Sequence, residues 1–450
     1  MTVVGEIGET SDAVAAQRRW VTFGLILLVT LAAFEDMGVG TALPTIVTDL
    51  HGQQLYSWPF TALLGAQVVG TVIGGRVSDR IGPAAVLWVA PLMFLLGLVI
   101  AGTAGGMPAL LAGRVLQGFG GGSQIVAIYV LIAVVFPERD RPAVIGSMSA
   151  AWVVPSLVGP AVAGLLAQYL SWRWVFLGLA PFVLLGWLAL VPMVRRMPAH
   201  HRPAGPSRRG MAAAAVVGAL GMSAVTWAAE HPSGLTLVLG GAGLALLVPA
   251  LWRLLPRGTM LARPGLPVVI LSRGLLAGAF FGAEAYLPLT LTQVHGFTPA
   301  LAGLPLTVGS VGWSVAAWWQ GRHPELSRPV LIRIGFLLIA AAMVVVAFLG
   351  PALGPSWLAL PGWTLAGVGM GFGISGVAVL LLELSGKDDR GFNSAALQLS
   401  DMFGQSVSIG FGGVLIAALG SFVAVIPLDL ALSGLAVLGA LLISRAARDS

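Results

Sequence analysis

An all-α polytopic membrane protein is the fold class this sequence predicts, and three observations predict it. Only 9% of its 450 residues are charged, against about 25% in soluble domains. The apolar residues (57%, mean hydropathy +0.93) fall in repeated blocks of roughly 20, enough to cross a bilayer as a helix. The basic residues occupy alternate gaps between those blocks, which is how a chain is oriented in a membrane. No stretch remains for a sizeable soluble domain. The net charge of +6 therefore reflects membrane orientation and not nucleic-acid binding. The absence of cysteine removes disulfides, thiolate metal sites and thiol catalysis together.

Residues 1–19 form a polar tail with Glu6, Glu9 and Asp12. They lack the basic start and short apolar core of a cleaved signal peptide, so the first span is expected to be retained. Six blocks, at 20–46, 56–78, 84–104, 107–135, 142–169 and 173–194, make an N-terminal bundle over 20–194. A basic, Pro-rich cytoplasmic linker covers 195–210, with Arg196, His200, His201, Arg202 and Arg208 and no apolar periodicity. Two further blocks, 211–229 and 235–254, form an extra pair within 211–264 that either spans or enters and returns as a hairpin. The last six, at 265–292, 298–319, 329–349, 356–384, 391–419 and 423–444, make a C-terminal bundle over 265–444, followed by a tail at 445–450. The count is fourteen crossings arranged six, two and six.

Charge placement tests that count. With the N-terminus inside, the cytoplasmic side receives Arg18, Arg19, Arg76, Arg80, Arg139, Arg141 and the linker arginines. It also receives Arg253, Arg257, Arg263, Arg322, Arg328, Arg333, Lys387, Arg390, Arg445 and Arg448. The outer loops hold essentially only Arg173. A miscounted span would scramble this separation. The even total places both termini in the cytoplasm, and the Ala-, Gly- and Arg-rich composition with a single lysine suits the plasma membrane of a high-GC bacterium.

Charges inside the blocks are the candidate site. The first block contains Phe34-Glu35-Asp36-Met37-Gly38 and continues to Pro44. An ionised carboxylate at membrane depth costs about 2.5–3.5 kcal/mol or more unless water or a partner receives it. Neighbouring helical residues point about 100° apart, so one of Glu35 and Asp36 faces the interior. Glu35 is the first candidate proton-binding residue and Asp36 the second. Arg114, inside the fourth block, must find carboxylates, carbonyls or water, and a nearby carboxylate would have its protonation modulated. The alternative is an arginine that only ties helix backbones together. Glu284 and Asp401, near mid-span and without an evident partner, are candidates for substrate contact or a second proton site, or else neutral packing residues. Glu230, Glu383 and Asp429 lie nearer block ends and are expected to be solvated. The histidines sit in loops or at span edges, and none is assigned to a proton relay. Trp and Met are read as lipid anchors and packing.

Gly75, Asp79, Arg80 and Gly82, in Gly74-Gly75-Arg76-Val77-Ser78-Asp79-Arg80-Ile81-Gly82, resemble the loop signature of the major facilitator superfamily, although Pro83 and Ala84 replace its usual basic pair. Arg114-Val115-Leu116-Gln117-Gly118 resembles the fourth-helix motif, and Gly159-Pro160-Ala161-Val162-Ala163-Gly164 resembles the fifth-helix motif of the superfamily's exporters. Ser171-Trp172-Arg173-Trp174-Val175-Phe176 is similar to the same group. Glu35, nine residues before Pro44, stands where drug:proton antiporters with fourteen helices carry an aspartate. Thr41-Ala42-Leu43-Pro44-Thr45, Tyr286-Leu287-Pro288-Leu289 and Ala302-Gly303-Leu304 agree with that group.

The resemblance implies a major facilitator fold, with two six-helix bundles, two additional linker helices and alternating access between the bundles. It implies export of hydrophobic or cationic small molecules (multidrug efflux) in exchange for protons. Partners would then be a small-molecule substrate, protons and membrane lipid, with no nucleic acid and a monomeric state. No cofactor is expected beyond the proton gradient. Proton-coupled transport of a specific metabolite or lipid on the same fold stays open. An intramembrane enzyme is disfavoured by the lack of a His-Glu-x-x-His helix, Asp-rich pyrophosphate motifs or a serine–histidine pairing.

Overall fold

The computed structural model describes residues 3–136, 141–197, 210–231, 234–350, 354–386, 389–419 and 422–446. The side chains of Glu6, Glu9, Asp12, Arg139, Lys387, Arg448 and the linker's Arg196, His200, His201, Arg202 and Arg208 lie outside the described set. Among the described residues the regular structure is helical. The helices are α1 (Val3–Asp49), α2 (Trp58–Ile81), α3 (Pro83–Gly102), α4 (Met107–Val135), α5 (Arg141–Tyr169), α6 (Arg173–Leu177) and α7 (Ala180–Arg196). The extra pair is α8 (Met211–Glu230) and α9 (Gly234–Leu254). There follow α10 (Leu266–Glu284), α11 (Leu287–Gln293), α12 (Pro299–Arg322), α13 (Arg328–Ala347), α14 (Ala359–Leu384), α15 (Arg390–Leu419) and α16 (Val425–Leu442).

Fourteen segments among the described residues are long and apolar enough to cross a membrane, α8 and α9 included. Two of these spans are interrupted, each for the same chemical reason. α6 stops at Leu177 and α10 at Glu284, and proline follows four residues later as Pro181 and Pro288. Proline has no N–H to donate to the carbonyl four residues back and its ring crowds that carbonyl, so each span is built from two pieces. The second interruption leaves Glu284 at the end of α10.

Helix packing repeats in the two halves. α1 packs on α5 and α10 on α15; α2 packs on α4 and α12 on α14; α3 packs on α7 and α13 on α16. Each half therefore pairs its first span with its fifth, its second with its fourth and its third with its sixth. Across the seam α5 meets α12 and α2 meets α15, while α8 lies against both α2 and α15. Gly82, at φ 98°, ends α2 in a backbone conformation that disfavours side chains, with its N–H bonded to Ser78 O at 3.0 Å.

The seam is tight at the end that carries residues 50–57. A β-carbon on Gly164 of α5 would lie 2.6 Å from the Pro299 carbonyl oxygen of α12, and one on Gly303 would lie 2.7 Å from the Pro160 carbonyl oxygen. Small residues allow this approach of backbones, a packing that replaces the missing hydrophobic drive between helices in lipid. Ala300 N donates to Gln168 Oε1 at 3.4 Å across the same contact. Tyr56 Oη donates to the Ala285 carbonyl at 2.8 Å, and the Tyr56 and Tyr286 rings lie 5.4 Å apart. This is the closed end. Trp20, Trp174, Trp252, Trp318 and Trp357 are exposed near span ends, where an indole anchors to a membrane interface.

Candidate functional site

The adjacent acids Glu35 and Asp36 have different surroundings. Glu35 is 1% exposed and ion-paired with the Arg114 guanidinium of α4. Arg114 also donates from Nε to Pro59 O at 3.1 Å and from Nη1 to Gln117 Oε1 at 3.3 Å. One cation thus joins α1, α2 and α4 behind the site. Gly118, a turn along from Arg114, is seated against the Leu63 backbone of α2, which sets the close α2–α4 packing. On the other flank Gly159 of α5 sits where a β-carbon would lie 3.4 Å from Met37 Cβ, so the Gly159–Gly164 motif backs the acid-bearing turn of α1.

Asp36, one residue on, keeps solvent-accessible surface. It lies within electrostatic reach of Asp401 on α15, and Glu284 at the end of α10 lies within reach of Asp36. One acid from the first half and two from the second therefore converge across the seam. Glu284 retains accessible surface too, and its Oε2 has no hydrogen-bond partner.

Asp401 has a partner that the sequence did not disclose. Arg273 of α10 donates to Asp401 Oδ2 from Nε at 2.7 Å and also from Nη2, and Gln405 Nε2 donates to Oδ1 at 2.9 Å. The signal was available, because Arg273 is an arginine inside an apolar block just as Arg114 is. Its partner stands 128 residues away, beyond any local spacing rule.

An aromatic cluster is built around the turn of α10 that precedes Glu284. Phe281, one turn before it, packs edge-on with Phe280 at 5.2 Å, and Trp313 of α12 lies 6.4 Å from Phe281. Trp363 backs Phe280 at 5.0 Å. Trp313 thus packs on Phe280 and Phe281 inside the bundle.

Two expectations of solvation are corrected. Glu230 is 7% exposed, held by Ser57 and Trp58 of α2, because α8 packs against that helix. Asp429 is 1% exposed, on the face of α16 that carries buried Leu428 and Leu432. Proximity to a helix end did not bring either acid to solvent. Glu383 is exposed, as expected. In the loop motif Gly75 is partly buried, whereas Asp79 and Arg80 are exposed beside the Gly82 turn. Arg173 bonds Asp49 at 3.2 Å and lies over the Trp172 ring, 4.3 Å from its centroid. Among the described residues no cluster of His, Asp and Glu could hold a metal ion.

Comparison with known proteins agrees with this architecture. The chain matches the Major Facilitator Superfamily over residues 25–360. An MFS-type transporter of Mycobacterium tuberculosis is 29% identical over 421 residues, covering 88% of this chain and 59% of that protein. The multidrug efflux pump SdrM of Staphylococcus aureus is 26% identical over 336 residues (72% and 74%), and multidrug resistance protein 3 of Bacillus subtilis is 24% identical over 390 residues (82% and 73%). An acurin A biosynthesis cluster transporter of Aspergillus aculeatus is 36% identical over 177 residues, where the match spans only 32% of that longer protein. Among solved structures, a POT family transporter in complex with 5-aminolevulinic acid superposes with a TM-score of 0.68 at 15% identity, covering 94% of this chain and 95% of that one. The likeness extends to the fold. On the evidence of the fourteen spans among its described residues, the repeated half-bundles and the family match, the chain belongs to the major facilitator superfamily.

Proposed function

We propose that the protein is a proton-coupled antiporter that exports hydrophobic or cationic small molecules by alternating access. The convergence of Asp36, Glu284 and Asp401 from the two halves carries this reading. A proton and an organic cation both stabilise the same crowded carboxylates, so occupancy by one disfavours the other, and that competition is exchange. The cluster of Phe281 and Trp313 suits a lipophilic body beside the charge. Two relatives bear multidrug names, in accord with it. On this reading both termini are cytoplasmic, as the distribution of arginines suggests, and the tight seam near residues 50–57 faces outward.

Sequence position ranks Glu35 ahead of Asp36; the difference in their surroundings supports the opposite order. Asp36 takes the exchanged proton because it reaches accessible space without a counter-charge, whereas Glu35 is shut in with Arg114. The Glu35–Arg114–Gln117 set positions α1 beside α2 and α4, and its field tunes Asp36. Glu284 and Asp401 share substrate contact and proton binding. The test is efflux of a lipophilic cationic dye from vesicles carrying an imposed pH gradient. Asp36→Asn should reduce proton-driven exchange at least tenfold while the protein stays folded. Undiminished exchange would sink the assignment.

Arg273 favours one second reading, transport of a specific metabolite or lipid bearing an anionic group, since a partly exposed guanidinium in the site can receive one. The direction and charge of the transported species in the same vesicles separate the two.

A further inference from the structure

The closed end contains an acid outside the central site. Glu230, the last residue of α8, accepts a hydrogen bond from Ser57 Oγ and another from Trp58 Nε1 at 2.7 Å. Both donors are neutral and stand at the start of α2. Gly413 of α15 is seated on the same pair: a β-carbon there would lie 2.9 Å from Ser57 Oγ and would collide with the Glu230 carboxylate. One turn back on α8, Thr226 touches α15 in the same way, at Gly410. The extra pair, the first half and the second half therefore meet at one carboxylate, next to the Tyr56–Tyr286 contact.

We infer that Glu230 is a proton-binding site separate from the central carboxylates, and that its ionised form holds the closed end shut. An ionised carboxylate receives hydrogen bonds roughly twice as strong as neutral ones. Those bonds order Ser57 and Trp58 into the surface on which Gly413 rests. Protonation weakens both bonds and loosens that surface, so acid on this side favours opening. The titratable groups that face Glu230 are few: the Tyr56 and Tyr286 phenols and His231, which stacks on Trp227 at 4.0 Å. From α15 it is Gly413 that lies against the carboxylate. Tyrosine does not titrate near neutral pH. His231 is a direct neighbour of Glu230, and the His231→Gln variant separates its contribution from that of the acid.

The inference rests on the alternating-access reading but not on the identity of the substrate. The chain has no cysteine, so a single introduced thiol reports on the seam. Thr41 is suited to it, being fully buried with its hydroxyl unbonded and its methyl against Gly303 of α12. Thr41→Cys protein in lipid vesicles is labelled by a membrane-impermeant thiol reagent, with rates normalised to Gln53→Cys, an exposed position, to remove the pH dependence of the reagent. The normalised rate should rise about tenfold from pH 8 to pH 5, the scale of weakening a charge-assisted bond. Glu230→Gln should label at the high rate at both pH values, and His231→Gln should keep the parent's response. Gly413→Ala should label fast at every pH, and Ser57→Ala gives an independent variant should Glu230→Gln fail to fold. A Glu230→Gln or Ser57→Ala protein that keeps the parent's pH dependence overturns the inference. Asp36→Asn, which stops exchange under the proposed function, should leave the seam response intact, so the two ideas fail separately.

Discussion

Glu35→Gln would leave the Arg114 guanidinium buried without a counter-charge. Both side chains are 1% exposed, so solvent screening does not reduce the effect. Removing one partner of a buried ion pair costs about 3–5 kcal/mol. Here the Pro59 carbonyl and Gln117 Oε1 still accept from the guanidinium, which favours the low end, about 3 kcal/mol or on the order of 10² in the folded-to-unfolded ratio. Arg114→Gln should cost less, because a stranded carboxylate can take up a proton whereas a stranded guanidinium cannot lose one. The double variant should return to within about 1 kcal/mol of the parent, giving a coupling energy of at least 2 kcal/mol. The assay is denaturant unfolding in mild detergent followed by tryptophan fluorescence, run as a double-mutant cycle. Additive effects, or a Glu35→Gln protein within about 0.5 kcal/mol of the parent, would refute the structural role of the pair.

Two other outcomes follow from the packing. Gly164→Val inserts a branched side chain where even a β-carbon would lie 2.6 Å from the Pro299 carbonyl oxygen, so transport should fall at least tenfold through loss of the closed state, with distance measurements between α5 and α12 showing a wider separation. Asp49→Asn touches an ion pair whose side chains are 38% and 50% exposed, so screening limits its cost to under about 1 kcal/mol and the melting temperature should barely move.

Much of the architecture was legible because a bilayer restricts the chain more severely than water does. Apolar block length and alternating charge are enough to number the spans, since every backbone polar group must be satisfied within a helix. Charged residues inside those blocks then stand out by their expense, which is how Glu35, Asp36, Arg114, Glu284 and Asp401 were found. Proline four residues past Leu177 and past Glu284 was equally visible as the cause of the two interrupted spans.

Pairing was not legible. Spacing along one helix cannot say that Arg273 meets Asp401, that Glu230 meets Ser57, or that Glu35 and not Asp36 meets Arg114. Those outcomes depend on which faces of distant helices are turned toward each other, and that is settled by glycine-mediated close packing between segments more than a hundred residues apart. The amino-acid order alone determined where this protein lies in a membrane and which residues had to be explained there. Only the folded arrangement decided which acids meet an arginine across the bundle.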